Sequence, residues 1–352
     1  MPPPVARRWG KCRLRMLTDF EIARLSALMA EFAEKRILVV GDLMLDEYIW
    51  GKVSRISPEA PVPIVNVTGE SYYPGGAANV TRNVREFSHG VALMGRAGTD
   101  AQGHRLLELL AGSGIDTSGV QQDAACPTTM KTRIIARNQQ VVRVDRERKT
   151  SVTAEQADRA MEYVDRTIEG LDGIIVADYG KGFLTQPMAD HICRTARAHR
   201  KILTVDPHPH TSLSWVGATA IKPNRSEAFI AAGLPPSDPV SPVLEDGPLL
   251  EAGKRLLGLW KCESLLITLG EQGMLLLQRD AAPFHTPTHA KDVFDVSGAG
   301  DTAIAVFTLG LCAGALPSEA AELANCASGI VVGKLGTATV SVSELQASFG
   351  EA

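Results

Sequence analysis

Short runs of β-branched residues recur along this chain, and between them lie segments whose apolar residues repeat every three or four positions. Arg36-Ile-Leu-Val-Val-Gly41, Gly173-Ile-Ile-Val-Ala-Asp178, Lys201-Ile-Leu-Thr-Val-Asp206 and Ser264-Leu-Leu-Ile-Thr-Leu269 are the clearest runs. Residues 154–169, 187–200, 244–259 and 301–314 carry the helical pattern, with Pro187 at a first-turn position. Strands that alternate with helices predict an α/β fold, a central and mostly parallel sheet flanked by helices.

Two stretches interrupt the alternation. Residues 50–67 and 128–145 are strand-like, with no helical pattern between neighbouring strands. In the second, Met130–Ile135 and Val141–Val144 flank the polar turn Arg137-Asn138-Gln139-Gln140, which predicts a hairpin. Together the two stretches predict a small β-sheet lid over the main sheet, with unpaired edges and an apolar face at Ile64, Val65, Ile134 and Val142. Such edges invite pairing with a second copy, so a homodimer through the lids is expected.

The chain has 352 residues, and at about 150 per domain that length allows two domains or one large domain with an appendage. Its 36 basic and 40 acidic residues give a net charge of −4, without the basic excess that strong binding to nucleic acid needs. The most apolar stretch, 303–316, is broken by Thr308 and two glycines and is shorter than the roughly 20 residues of a membrane span. Residues 1–17 are basic but lead into Thr18-Asp19-Phe20-Glu21 rather than an apolar segment. They predict a disordered extension, in which Met16 is a second candidate start, and not a signal peptide. Six scattered cysteines with no C-x-x-C pair fit a reduced, cytoplasmic protein, and Cys193, Cys312 and Cys326 read as small core hydrophobes.

Open α/β sheets place their sites beyond the carboxyl ends of the strands, where this chain has Asp42, Asp46, Asp178, Asp206, Asn224 and Asp301. The strongest motif is Asp295-Val-Ser-Gly-Ala-Gly-Asp-Thr302 before an apolar helical run. Gly298, Ala299 and Gly300 can aim backbone N–H groups at an anion at the positive end of the helix. Asp301, beside that anion, is suited to take a proton from an attacking hydroxyl. The plainer alternative is a tight turn with Asp301 as helix cap. In Pro74-Gly-Gly-Ala-Ala-Asn79, Gly75 and Gly76 permit close approach of a ligand, and Asn79 can bond sugar hydroxyls. Asp42 and Asp46 are a carboxylate pair that would suit a polyol.

These motifs are identified as those of the ribokinase-like carbohydrate kinases, the family that includes phosphofructokinase B, over about residues 35–345. The 295–301 segment resembles the family's D-T-x-G-A-G-D pattern, with Val296 and Ser297 as mild departures. The resemblance implies Asp301 as catalytic base and Gly298, Ala299 and Gly300 as the anion hole. It also implies ATP and Mg²⁺: Asn224-Arg225-Ser226-Glu227 matches the N-x-x-E motif, with Glu227 reaching the metal through water. Nucleotide contacts are expected from Thr268, Gly270 and Gly273, and from a later helix at Asn325 and Gly329, where Ala324, Ala327 and Ser328 leave room for an adenine. Residues 18–352 would form this one kinase domain.

A narrower resemblance rests on the 51–63 run, Asp178-Tyr-Gly-Lys-Gly182 and Ile221-Lys-Pro-Asn-Arg-Ser-Glu227. These are similar to the bacterial D-glycero-β-D-manno-heptose 7-phosphate kinases, which phosphorylate the anomeric oxygen on the way to ADP-heptose and the lipopolysaccharide core. The fused nucleotidyltransferase of some relatives, with its H-x-G-H motif, has no counterpart here, so a single activity is expected. His208 stands where related kinases commonly have lysine. Cations for the sugar's own phosphate are expected among Lys131, Arg133, Arg137, Arg143 and Lys181, with Asp178 nearby and Lys181 favoured. The alternatives are a kinase for another phosphosugar such as fructose 6-phosphate, or a sugar or nucleotide sensor on the same fold. A dinucleotide-dependent oxidoreductase is disfavoured because no G-x-G-x-x-G follows the first strand.

Overall fold

The structure is a computed structural model that describes residues 18–136, 139–290 and 293–350. The predicted N-terminal extension, Arg137 and Asn138 therefore lie outside the described residues. In chain order the strands are β1 (Arg36–Gly41), β2 (Leu43–Ile56), β3 (Pro63–Gly76), β4 (Gly90–Gly98), β5 (Asp116–Asp123), β6 (Thr129–Ala136) and β7 (Gln139–Arg146). They continue as β8 (Gly173–Ala177), β9 (Ile202–Asp206), β10 (Ala220–Ile221), β11 (Ser264–Thr268), β12 (Met274–Gln278) and β13 (Phe284–Thr286). The helices are α1 (Asp19–Ala30), α2 (Ala77–Arg85), α3 (Ala101–Gly112), α4 (Ala154–Thr167) and α5 (Gln186–Ala198). After them come α6 (Arg225–Ala232), α7 (Gly247–Trp260), α8 (Ala299–Cys312), α9 (Pro317–Val331) and α10 (Val342–Gly350).

Among the described residues the main sheet has the order β13-β12-β11-β10-β9-β8-β1-β4-β5, with neighbouring strands parallel except that β12 runs against both β11 and β13 at one edge. Both faces are covered. Ile37 and Val39 of β1 pack with α2, α8 and α9, while Leu38 and Val40 between them pack with α4, α5 and α7. Fully burying one such aliphatic side chain is worth about 1.5–3 kcal/mol, so this alternation binds a helical layer to each side. From Thr302 to Gly310 every residue of α8 is buried, which makes it a core helix and sets its N-terminus at the carboxyl ends of the strands.

The small sheet has the order β3-β2-β6-β7. The predicted hairpin is present: Ile134 pairs with Val142 and Met130 with Arg146, and Gln139 and Gln140, expected in the turn, pair as strand residues. The excursion is longer than expected. It starts at Leu43 and returns through Gly76, because Leu43, Met44 and Leu45 pair with Gly76, Gly75 and Pro74. Asp46 is consequently inside a strand of the small sheet and not at the end of β1.

Among the described residues no helix is long and apolar enough to cross a membrane. Cys193 and Cys326 are buried as expected, whereas Cys312 is only partly so. Burial pushes the Cys193 thiol up to about 11 and that of Cys312 to about 12, which suppresses thiolate chemistry.

Candidate active site

The carboxyl ends of β8, β9 and β11 and the N-terminus of α8 surround a cavity of about 440 Å³. The cap of α8 is Gly298, at φ 83°, a left-handed conformation that glycine enters without steric cost. Asp301 therefore does not cap the helix, and its carboxylate is free to turn elsewhere. Oδ1 accepts the Tyr179 hydroxyl at 2.5 Å and Oδ2 accepts the Asn79 side-chain amide at 2.6 Å. Burial holds the Asp301 carboxyl above its usual range, and these two donors and the Lys222 charge partly offset it.

The amides at this helix start are unequal. Ala299 N–H turns back to the Val296 carbonyl at 3.3 Å, whereas among the described residues no acceptor meets Gly300 or Asp301 N–H, as first-turn geometry dictates. A Cβ built on Gly300 would lie 3.4 Å from Lys222 Nζ, so an ammonium group sits close to the same helix start. Lys222 is 5% exposed and its Nζ is 3.0 Å from Asp206 Oδ2. Burial raises the Asp206 carboxyl to about 7 against the pull of Lys222. Neighbouring positive charge and unpaired amides make this corner attractive to a phosphate.

Farther along, Thr268, Gly270 and Gly273 line the cavity from one side and Asn325, Ser328 and Gly329 of α9 from another. Met274, Val293, Val296 and Val332 give it an apolar wall. Asn325 is held by bonds to Thr286 Oγ1 at 2.8 Å and to the Pro287 carbonyl at 2.6 Å. Ala324 and Ala327, expected at the same surface, are instead fully buried in the core. His208 lines the cavity next to Asp178, whose carboxylate accepts the Gly180 amide and the Thr211 hydroxyl.

Asn224 and Glu227 line the cavity and form a reciprocal capping box on α6, with Glu227 Oε2 accepting Asn224 N–H at 2.7 Å. Arg225 and Ser226, expected beside the nucleotide, do other work. The Arg225 guanidinium leaves the cavity for Asp246 at 2.8 Å and the 237–238 carbonyls, and the Ser226 hydroxyl donates to Asn224 Oδ1. The helical turn carries the two intervening side chains away from the cavity that Asn224 and Glu227, three positions apart, both face.

The sugar-side expectations change most. Asp42 is 3% exposed, and its carboxylate accepts the amides of Tyr179, Lys181 and Phe183, each at 3.0 Å. It organises the 178–183 loop rather than offering itself to a polyol. Gly75 and Gly76 are strand residues that admit other parts of the chain: a Cβ on Gly75 would fall 2.4 Å from Asp46 Oδ2, and one on Gly76 2.7 Å from the Asp42 carbonyl. Asp46 Oδ1 is paired with Arg133 at 2.5 Å, and Lys181 Nζ with Glu147 at 2.5 Å. Burial holds Lys131 below its usual range against the pull of Asp46 and, among the described residues, its ammonium makes no hydrogen bond or close ion pair.

The sequence profile of the pfkB family carbohydrate kinases matches residues 34–344. The chain belongs to that family. That family is one of carbohydrate kinases. Two curated relatives of this pfkB-family chain are the bifunctional protein HldE of Desulfatibacillum aliphaticivorans, 43% identical over 90% of the chain and 64% of the relative, and that of Geobacter sulfurreducens, 40% identical over 94% and 66%. The pfkB-family chain thus spans slightly less than two thirds of the length of either. Similar solved structures include phosphofructokinase-2 of Escherichia coli in complex with substrates and products, with a TM-score of 0.72 at 16% identity, covering 90% of this chain and 99% of that one. Ribokinase of Arabidopsis thaliana complexed with ribose and ATP matches with a TM-score of 0.67 at 16% identity over the same shares. These establish the predicted ribokinase-like fold of a mostly parallel sheet with a smaller sheet beside it.

Tyr179 and Lys222 were not singled out as site residues from the sequence, although both stand inside quoted motifs. Tyr179 follows Asp178, the first residue past β8, and Lys222 immediately follows β10, so position relative to a strand end was the available signal.

Proposed function

We propose that this kinase transfers the γ-phosphoryl group of MgATP to the C1 hydroxyl of D-glycero-β-D-manno-heptose 7-phosphate, giving the 1,7-bisphosphate used for ADP-heptose and lipopolysaccharide core synthesis. The observation that carries the transfer chemistry is Asp301: a carboxylate on the cavity wall, gripped at both oxygens, beside unpaired amides and Lys222. As the C1 oxygen bonds to the γ-phosphorus, its proton passes to Asp301 and the bond from that phosphorus to the β–γ bridging oxygen breaks, releasing ADP. The helix-start amides and Lys222 meet charge on the migrating group, so positioning and electrostatics supply the rate. The choice of heptose is supported by the 51–63, 178–182 and 221–227 runs and by 40–44% identity to proteins named HldE.

Mg²⁺ suits the donors present. Glu227 has one carboxylate oxygen on Asn224 N–H, leaving the other for a metal-bound water. Among the described residues no group of three or more acidic, histidine or cysteine side chains could cage an ion. That matches a cation held mainly by phosphates and water. Bound there, Mg²⁺ would neutralise phosphate charge.

The small sheet is read as a lid whose closure excludes water from the cavity. All eight residues of β7 are exposed, with Val142 at 45%, which supports pairing of the lids in a homodimer. Sedimentation at micromolar concentration is expected to give twice the chain mass, and a monomer would remove the dimer from this reading. Unpaired cysteines at 126, 193, 262, 312 and 326 support a cytoplasmic setting.

Phosphorus NMR of the product from ATP and heptose 7-phosphate tests the substrate: a new anomeric phosphate signal is expected. Turnover of fructose 6-phosphate with none of the heptose would replace it by the other phosphosugar.

A further inference from the structure

We infer that Tyr179 is a positioning residue for the base: its hydroxyl holds Oδ1 of Asp301 while Asn79 holds Oδ2, so that the carboxylate keeps one orientation and still has lone pairs for a sugar hydroxyl. The inference rests on the reading of Asp301 as base and extends it. An ionised carboxylate offers about four lone-pair directions, and these two donors occupy one on each oxygen. The acceptor capacity needed for proton removal therefore survives, while rotation about the Cβ–Cγ bond would break both hydrogen bonds.

Tyr179 is itself anchored. Its amide donates to Asp42 Oδ2 at 3.0 Å, and the amides of Lys181 and Phe183 close on the same carboxylate. The root of the side chain is thus fixed by the residue after β1, and its tip by α8. Burial first, and then the Asp301 charge, drive the Tyr179 hydroxyl well above its ordinary range, so it remains a donor throughout the working pH range. The charged groups around Asp301 are Lys222 after β10, Asp206 at the end of β9 and Asp46 in β2. Lys222 favours the ionised carboxylate and the two aspartates oppose it. Loss of the tyrosine donor therefore tips Asp301 toward its protonated form, which cannot act as base.

The test is Tyr179→Phe, which keeps the ring and removes only the donor, with Asp301→Asn alongside, assayed with ATP and the sugar phosphate that the product analysis selects. For Tyr179→Phe, kcat at neutral pH is expected to fall about 10- to 100-fold, as for a charge-assisted hydrogen bond. The acid limb of its kcat profile should move to higher pH, the KM for ATP staying within about twofold. An unmoved acid limb overturns the inference, whatever happens to kcat, because a role in packing alone would not alter it. If Asp301→Asn turns over almost normally, the base reading itself is wrong. If that variant is inactive and the Tyr179→Phe limb is unmoved, only the role given to Tyr179 is lost.

Discussion

The Asn79 side-chain amide and Asp301 Oδ2 meet across 2.6 Å although 222 positions separate them in the chain. One end of this bond is on α2, where the chain returns from the small sheet, and the other on α8 at the main cavity. Asn79→Ala removes the second donor to Asp301. A hydrogen bond to a charged group is worth about 1.5–3 kcal/mol, so kcat should drop about 10- to 100-fold. With one donor gone, the carboxyl rises further, and kcat should recover partly as pH increases. Steady-state kinetics from pH 5.5 to 9 read this; a pH-independent loss would mean that Asn79 acts only through packing.

Asp42→Asn should weaken the 178–183 loop. The carboxylate accepts three amides, and an asparagine has one acceptor oxygen, with an NH₂ group that would face a backbone N–H. Each buried amide left unpaired costs about 1–3 kcal/mol, so thermal denaturation should show a loss of at least about 2 kcal/mol. Unchanged stability would show that the loop finds other acceptors.

Lys181→Ala is expected to raise the sugar KM at least fivefold while the KM for ATP stays put. The partner of Lys181, Glu147, retains 41% side-chain exposure, and such surface pairs contribute about 0–1 kcal/mol, so stability should barely change. Equal KM values for the sugar in variant and parent would take Lys181 out of the sugar-phosphate site.

The Asp206–Lys222 pair gives a signed dependence of stability on pH. Burial raises the Asp206 carboxyl to about 7 in the fold, against an unfolded value near 3.9. Between those values the native state holds more protons than the unfolded chain, so this group's contribution falls as pH rises from about 4 to 7 and is level beyond. Asp206→Asn lacks the titration. The melting temperature of the parent minus that of the variant should therefore decline from pH 5 to pH 8; a constant difference would place the Asp206 titration elsewhere.

The alternating layers were legible because buried strands and core helices write their periodicity into the chain. The position of Asp301 and the glycines before it at a helix start was legible as well, since helix-start geometry is local. What escaped was pairing between distant segments. Leu43 to Leu45 look like a continuation of β1, and only their ladder with Pro74 to Gly76 shows that the chain has already left the main sheet. The same ladder explains why Gly75 is a glycine: the Asp46 carboxylate fills the space of its missing Cβ. Tyr179 has no local pattern that announces a partner on α8. Arg225 and Ser226 show the converse limit, in which adjacency to Asn224 and Glu227 in sequence says nothing about which way a helical side chain points.

Asp42 stands at a crossroads. Its amide reaches the Ala177 carbonyl of β8, its carbonyl receives the Ala77 amide where the chain comes back from the small sheet, and its carboxylate gathers the segment that carries Tyr179. The start of the small sheet, its return into α2 and the loop that carries Tyr179 are thus all tied to one residue. Under the proposed reading, with the small sheet as lid and Asp301 as base, cover and proton acceptor share this single joint, and no longer relay is needed to bring them into step.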